Sequence, residues 1–317
     1  MRRRRLLAVV VSAAAGCTSA EYRASGPRTP PPAPPTGEPS VATLEPAEAR
    51  AQAVIRPLNE VYRRVRGPLT TFEIDDVSSE DLAAVERSMT AAREAAAAFA
   101  DSVDDPPPAY RSVPTLVRAH GLLVDALAAV VDLETSLSEL GVATARVDDP
   151  AGHLAPLREA VATVATAGSE LAAVVETDPV VPQSVFLSTE RVRGFATGFD
   201  DQSTAIGSLL DATERALAAA VAWRAGVAAF ERDALGDART AFDDALGHYR
   251  DTTARLDGLE VAGSFADLAE RRSCVAAAGI EAVETAREAV DAARAGEPER
   301  AEQLLNTAET TRNRCQN

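Results

Sequence analysis

From Pro46 onward, apolar residues recur every three or four positions, and almost no stretch shows the strict apolar–polar alternation of a half-buried strand. That spacing allows one economical solution, a body made only of helices that bury one stripe each. With 46% of its 317 residues apolar, the chain has enough material for a sizeable core. The pattern predicts an all-α fold with helices over Pro46–Arg66, Ser79–Val103, Pro114–Leu140, Pro150–Glu176, Ser188–Leu235, Asp237–Leu256, Ser264–Ala295 and Pro298–Arg314. Ser79-Glu80-Asp81 places carboxylates at a helix start, and Asp149-Pro150 reads as a cap followed by a first-turn proline. Gly194, Gly198 and Asp200 are candidate breaks in the long fifth helix. The segment Asp178-Pro179-Val180-Val181-Pro182-Gln183 interrupts the helical pattern and separates two near-equal halves. The expected units are a helical bundle over 46–177 and antiparallel helical hairpins over 184–317.

The first 45 residues are of a different kind. Arg2 to Arg5 are followed by an apolar run, Leu6 to Val11, and then by Ser12, three alanines, Gly16 and Cys17. This is the anatomy of a signal peptide over 1–16, with an apolar stretch about half as long as the roughly 20 residues a spanning helix needs. Ala14-Ala15-Gly16-Cys17 resembles a lipobox, in which the chain is cut before the cysteine and the thiol receives a lipid. Arg3-Arg4-Arg5-Leu6-Leu7 resembles the twin-arginine export motif, although a plain basic region for general secretion has the same composition. Together these residues resemble the signal of a haloarchaeal twin-arginine lipoprotein. The resemblance implies export of the folded chain, lipidation of Cys17, and a place at the outer face of the cytoplasmic membrane. Residues 17–45 then form a tether. Seven prolines between Pro27 and Pro39 favour polyproline II and a spacer on the order of 40 Å, with a proline-rich recognition motif as the alternative.

Charge supports that address. All 32 basic residues are arginine, none is lysine, and the 48 acids leave a net charge of −16; loss of the four arginines before Cys17 takes it to −20. Such a surface repels itself in dilute buffer, and at molar salt, where the Debye length is about 3 Å, the repulsion largely vanishes. The composition suits a salt-rich exterior; a GC-rich genome is the alternative, which explains the missing lysine but less readily the surplus of acid. Nucleic acid is excluded as a partner, because phosphates call for a basic stripe and none follows the first five residues.

Within the body, a hairpin turning at Gly236-Asp237 would set Trp223 opposite Tyr249 and Phe230 opposite Phe242, four of the 13 aromatic residues in one seam. Each pair is spaced by seven along its helix, the spacing of an inward-facing stripe, so the seam reads as an aromatic core or as a groove for a hydrophobic ligand. Gly236-Asp237 with Ala241 and Ala245, and Gly296-Glu297 with Ala301, Leu305 and Ala308, resemble tetratricopeptide hairpin turns, though 60 residues apart where that repeat has a period of 34. That resemblance implies binding of a protein or peptide.

Catalytic signals are sparse. His120, His153 and His248 lie on separate segments, so no two-histidine metal motif can be written, and neither a metal nor a cofactor is expected. Asp244 and His248, one helical turn apart, are the only acid–base couple worth weighing against a plain surface hydrogen bond. The acidic pairs Asp75-Asp76, Asp104-Asp105 and Asp148-Asp149 lack the alternating ligands of a calcium loop. With Cys17 assigned to the lipid, Cys274 and Cys315 remain. They flank the Ala295-Gly296-Glu297-Pro298 turn symmetrically, which predicts a disulfide at the open end of a hairpin; two free buried thiols are the alternative. The function expected from address and architecture is a lipid-anchored helical binding or scaffold module whose partner is another envelope protein. A helical-bundle enzyme or metal protein using Asp244 and His248 is the rival, and a solute-binding lipoprotein is disfavoured by the lack of strand patterns.

Overall fold

A computed structural model describes residues 46–72, 77–143, 149–177 and 179–315, and the side chains of all of these except 138–143. The signal, Cys17 and the tether lie outside the described residues. Among the described residues there are eight α-helices and no strand, and successive helices pack as antiparallel pairs. They are α1 (Pro46–Thr71), α2 (Ser79–Ser102), α3 (Val113–Ala143), α4 (Pro150–Glu176), α5 (Thr189–Glu231), α6 (Leu235–Leu256), α7 (Ser264–Arg294) and α8 (Pro298–Arg312).

The helix starts follow from local chemistry. At α2, Ser78 Oγ accepts from the Asp81 amide at 3.1 Å while Asp81 Oδ2 accepts from the Ser78 amide at 3.2 Å, a reciprocal capping box. At α4, Asp149 Oδ1 accepts from the Gly152 amide at 3.0 Å and Pro150 fills the first turn, where its missing N–H is no loss. At α5, Ser188 Oγ accepts from the Arg191 amide at 3.3 Å. That helix then runs 43 residues through Gly194, Gly198 and Asp200 without a break. Neither glycine has a neighbour within 4 Å of where a side chain would begin, so each costs the helix only its propensity. α1 also outruns its expected end at Arg66. Pro57 and Pro68 both lie inside it, each giving up one backbone hydrogen bond, and the chain leaves the helix at Phe72 with φ 53°.

Two groups of buried apolar side chains divide the interior. The larger runs from α1 through α4 and takes in α5 as far as Leu217, together with Leu256, Phe265 and Leu268. The smaller gathers the C-terminal part of α5 with α6, α7 and Ala308 of α8. α5 is therefore common to both. The α4–α5 connector is fastened to α1 by buried Asn59, whose Nδ2 donates to the Ser184 carbonyl at 2.7 Å and whose Oδ1 accepts from the Phe186 amide at 2.8 Å. Both halves of that amide are satisfied, which removes the desolvation cost of burying it. Tyr62 of α1 and Phe72 just after it meet Phe195 and Phe199 of α5 edge-on, at centroid distances of 6.5 and 6.3 Å.

Candidate functional site

The C-terminal hairpins carry the most specific packing. α5 ends in a Schellman turn: the Ala234 amide donates to the Ala229 carbonyl and the Asp233 amide to the Phe230 carbonyl, both at 2.9 Å, with Asp233 at φ 58° in the left-handed position. The α7–α8 turn is built the same way. There the Glu297 amide donates to Ala292 and the Gly296 amide to Ala293, both at 3.0 Å, and Gly296 takes φ 80°. The second turn lies where the sequence places it; the first comes about one helical turn before Gly236, because Asp233 rather than glycine adopts the left-handed conformation.

That shift re-registers the seam. Trp223 faces Phe242, with centroids 5.3 Å apart, in place of the expected Trp223–Tyr249 and Phe230–Phe242 pairs. The rings of α6 enter notches left by glycines on its neighbours: a methyl group at Gly226 would sit 2.6 Å from the Phe242 ring, and one at Gly279 would sit 2.5 Å from the Tyr249 ring. Trp223, Phe242 and Tyr249 are 2%, 0% and 1% exposed, so these three pack as core and do not line an open groove. Phe230 alone of the four is partly open, and it leads to the surface feature that the sequence does not reveal.

A cleft of about 450 Å³ lies where the end of α5 and the start of α6 meet the end of α7 and one side of α8. Its apolar floor is Val227, Phe230, Leu235, Ala293, Ala301 and Leu305. Its rim is Glu231, Asp233, Glu302 and Glu309, all solvent-exposed; the nearby guanidinium of Arg294 is spent on the Leu235 carbonyl at 3.1 Å. These carboxylates form no ion pair among the described residues, whereas Asp243 and Asp291 nearby are held by Arg239 and Arg287. An apolar floor under unpaired negative charge can take a group that is apolar at its centre and cationic at its edges. A second cleft of about 310 Å³ between α1 and α5 contains Arg191, but that guanidinium is already engaged, stacked 5.4 Å over Tyr62 and donating to the Phe186 carbonyl.

The α8 wall of the groove is fastened covalently. Cys274 of α7 and Cys315, in the short 3-10 turn Asn313–Cys315 after α8, form a disulfide with Cα atoms 5.9 Å apart. Beside it, Arg314 donates to Glu281 at 3.1 and 3.3 Å, and the Arg312 guanidinium stacks 5.5 Å over Trp223. The facing stripe of α7 is Ala278, Ala282, Ala286 and Ala289, all buried, as the close approach of two helices requires.

The acid–base couple has a different fate. Asp244 is exposed and His248 half-buried on α6, and among the described residues no three His, Cys, Asp or Glu side chains gather as a metal site needs. His153 is exposed. His120 is fully buried on α3; its Nδ1 meets the Leu116 carbonyl at 2.7 Å, its Nε2 has no partner, and desolvation lowers its pKa to about 4. Arg272, 4% exposed on α7, is likewise lowered by desolvation, to about 10, with Arg271 adding to the effect. No helix among the described residues is long and apolar enough to cross a membrane. Comparison with known proteins adds nothing to this geometry: no family model, no curated protein and no solved structure matches the chain.

Proposed function

We propose that this protein is a lipid-anchored binding module of the cell exterior, exported by its signal, held at the outer face of the cytoplasmic membrane through Cys17, and built to engage another envelope protein. The observation that carries the reading is the open cleft between α5, α7 and α8, where Phe230, Leu235 and Leu305 stay partly accessible beneath a carboxylate rim. Apolar surface left accessible and rimmed by polar groups is how docking sites are built. The lipobox-like Ala14-Ala15-Gly16-Cys17 and the proline-rich tether support the address, and the acidic, lysine-free surface supports a salt-rich setting.

Two measurements in intact envelopes test it. Cys17→Ser should move the protein out of the membrane fraction, and a photocrosslinker placed at Asn306, exposed at the groove, should trap one defined polypeptide. Membrane association unchanged by Cys17→Ser would remove the anchor. Asn306 crosslinks no different from those of a residue on the far side of the body would remove the binding role.

A further inference from the structure

We infer that the groove takes a basic polypeptide segment: arginine or lysine residues flanking an apolar anchor, presented by the envelope partner. The inference rests on the binding role proposed above and names the chemistry of what binds. Its grounds are charge complementarity. Glu231 at the end of α5, Asp233 in the turn after it, and Glu302 and Glu309 on α8 converge on one cleft whose lining residues include no cation, the nearby Arg294 guanidinium being engaged with the Leu235 carbonyl at 3.1 Å. Elsewhere some neighbouring acids are paired: Arg158 serves both Asp211 and Glu214, at 2.9 and 2.5 Å, and Asp243 is shared by Arg239 and Arg287. Among the described residues the four groove carboxylates form no ion pair, and what marks them is their gathering around one cleft. A second copy of this chain would bring a surface of net charge −16 or lower against the same rim, and an anionic membrane would be repelled likewise. A cationic segment gains at both levels. Its apolar anchor is removed from water over Phe230 and Leu305, and its charges neutralise a rim that otherwise repels itself.

The segment also has to work in salt. Screening at molar ionic strength leaves only contact pairs effective, while the apolar contribution persists. The rim then selects among partners more than it adds affinity.

The test uses the full chain and three synthetic peptides that share one Leu-Leu-Phe centre, flanked by arginines, glutamines or glutamates. At about 0.15 M salt, fluorescence anisotropy should rank them arginine, glutamine, glutamate. The quadruple variant Glu231→Gln, Asp233→Asn, Glu302→Gln, Glu309→Gln should weaken the arginine peptide by about tenfold or more, the scale of several exposed ion pairs together. A control that neutralises Glu86, Glu94, Asp101 and Glu176, all exposed on α2 and α4, should leave it within about twofold if the rim and not the overall charge is read. Leu305→Asn should weaken the arginine and glutamine peptides alike. At molar salt the advantage of arginine should shrink while the glutamine peptide holds. Equal loss in both quadruple variants would show general attraction to an acidic body and overturn the inference, as would absence of binding or equal affinity for the arginine and glutamine peptides. Sedimentation that reveals a dimer dissolved by Leu305→Asn would overturn it in favour of self-association. If Asn306 crosslinks to an acidic or uncharged stretch of a partner, the basic-segment inference fails while the binding role stands. If the arginine peptide binds and Asn306 traps nothing, the binding role fails instead.

Discussion

Breaking the Cys274–Cys315 disulfide should free α8 without unfolding the rest of the protein. The bond spans a sequence separation of 41, and in the chain-entropy account closing a loop of that length stabilises by about 4 kcal/mol. How that loss is distributed depends on what else holds α8. The helix has 15 residues, near the length at which isolated helices are marginal, and only Ala301 and Ala308 are buried. Two alanines supply little apolar burial, and the Arg314–Glu281 pair is exposed on both sides. The larger core, which contains no residue of α8, does not feel the change. In the Cys274→Ser, Cys315→Ser double variant, therefore, nearly all of the lost stability appears as local opening. At about 1.4 kcal/mol per decade, amide exchange in α8 should accelerate by up to about a thousandfold, while α1 to α4 remain as protected as in the oxidised protein. Hydrogen exchange read by mass spectrometry on the two proteins decides the matter. Unchanged protection of α8 would mean that packing alone holds it, and equal loss across α1 to α4 would mean that the body opens as one unit; either result refutes the reasoning.

His120 should make stability fall with pH. Its folded pKa of about 4 lies below the unfolded value of 6.5, so the unfolded chain takes up the proton first. Stability is complete above pH 6.5, declines as pH falls toward 4 and levels off below it, a loss of at most about 3 kcal/mol relative to His120→Gln in matched urea titrations. Equal pH dependence in the two proteins would count against the buried neutral imidazole. Gly279→Ala should destabilise by about 1–3 kcal/mol, because its methyl group meets the Tyr249 ring, whereas Gly247→Ala, with nothing within 4 Å, should be stabilising by up to about 1 kcal/mol. Shifts of the same sign in urea midpoint would contradict the notch geometry.

What the sequence makes legible, and what it hides, follows from how local each signal is. The Asp149-Pro150 start of α4 and the Gly296 turn were readable because a few adjacent residues set them, and the disulfide followed from that turn. The α5–α6 turn was misplaced by about one helical turn because Asp233 adopts a conformation usually left to glycine, while Gly236, the obvious breaker, sits inside α6. Every aromatic pairing drawn across that hairpin shifted with it. The groove was not legible at all. Its floor joins Val227 and Phe230 to Leu305 across most of the C-terminal half, and periodicity along a helix says which face is apolar but not which neighbour leaves it uncovered.

The length of α5 has one more consequence. Forty-three residues at about 1.5 Å each make a rod on the order of 65 Å. α1 lies alongside the first turns of that rod through Tyr62 and Phe195, and the groove opens at the rod's last turn. The contact between α1 and α5 and the cleft thus lie toward opposite ends of one stiff strut. For the anchored module proposed above, the separation between the Tyr62 contact and the cleft would be set by a single helix, like the arm of a gauge.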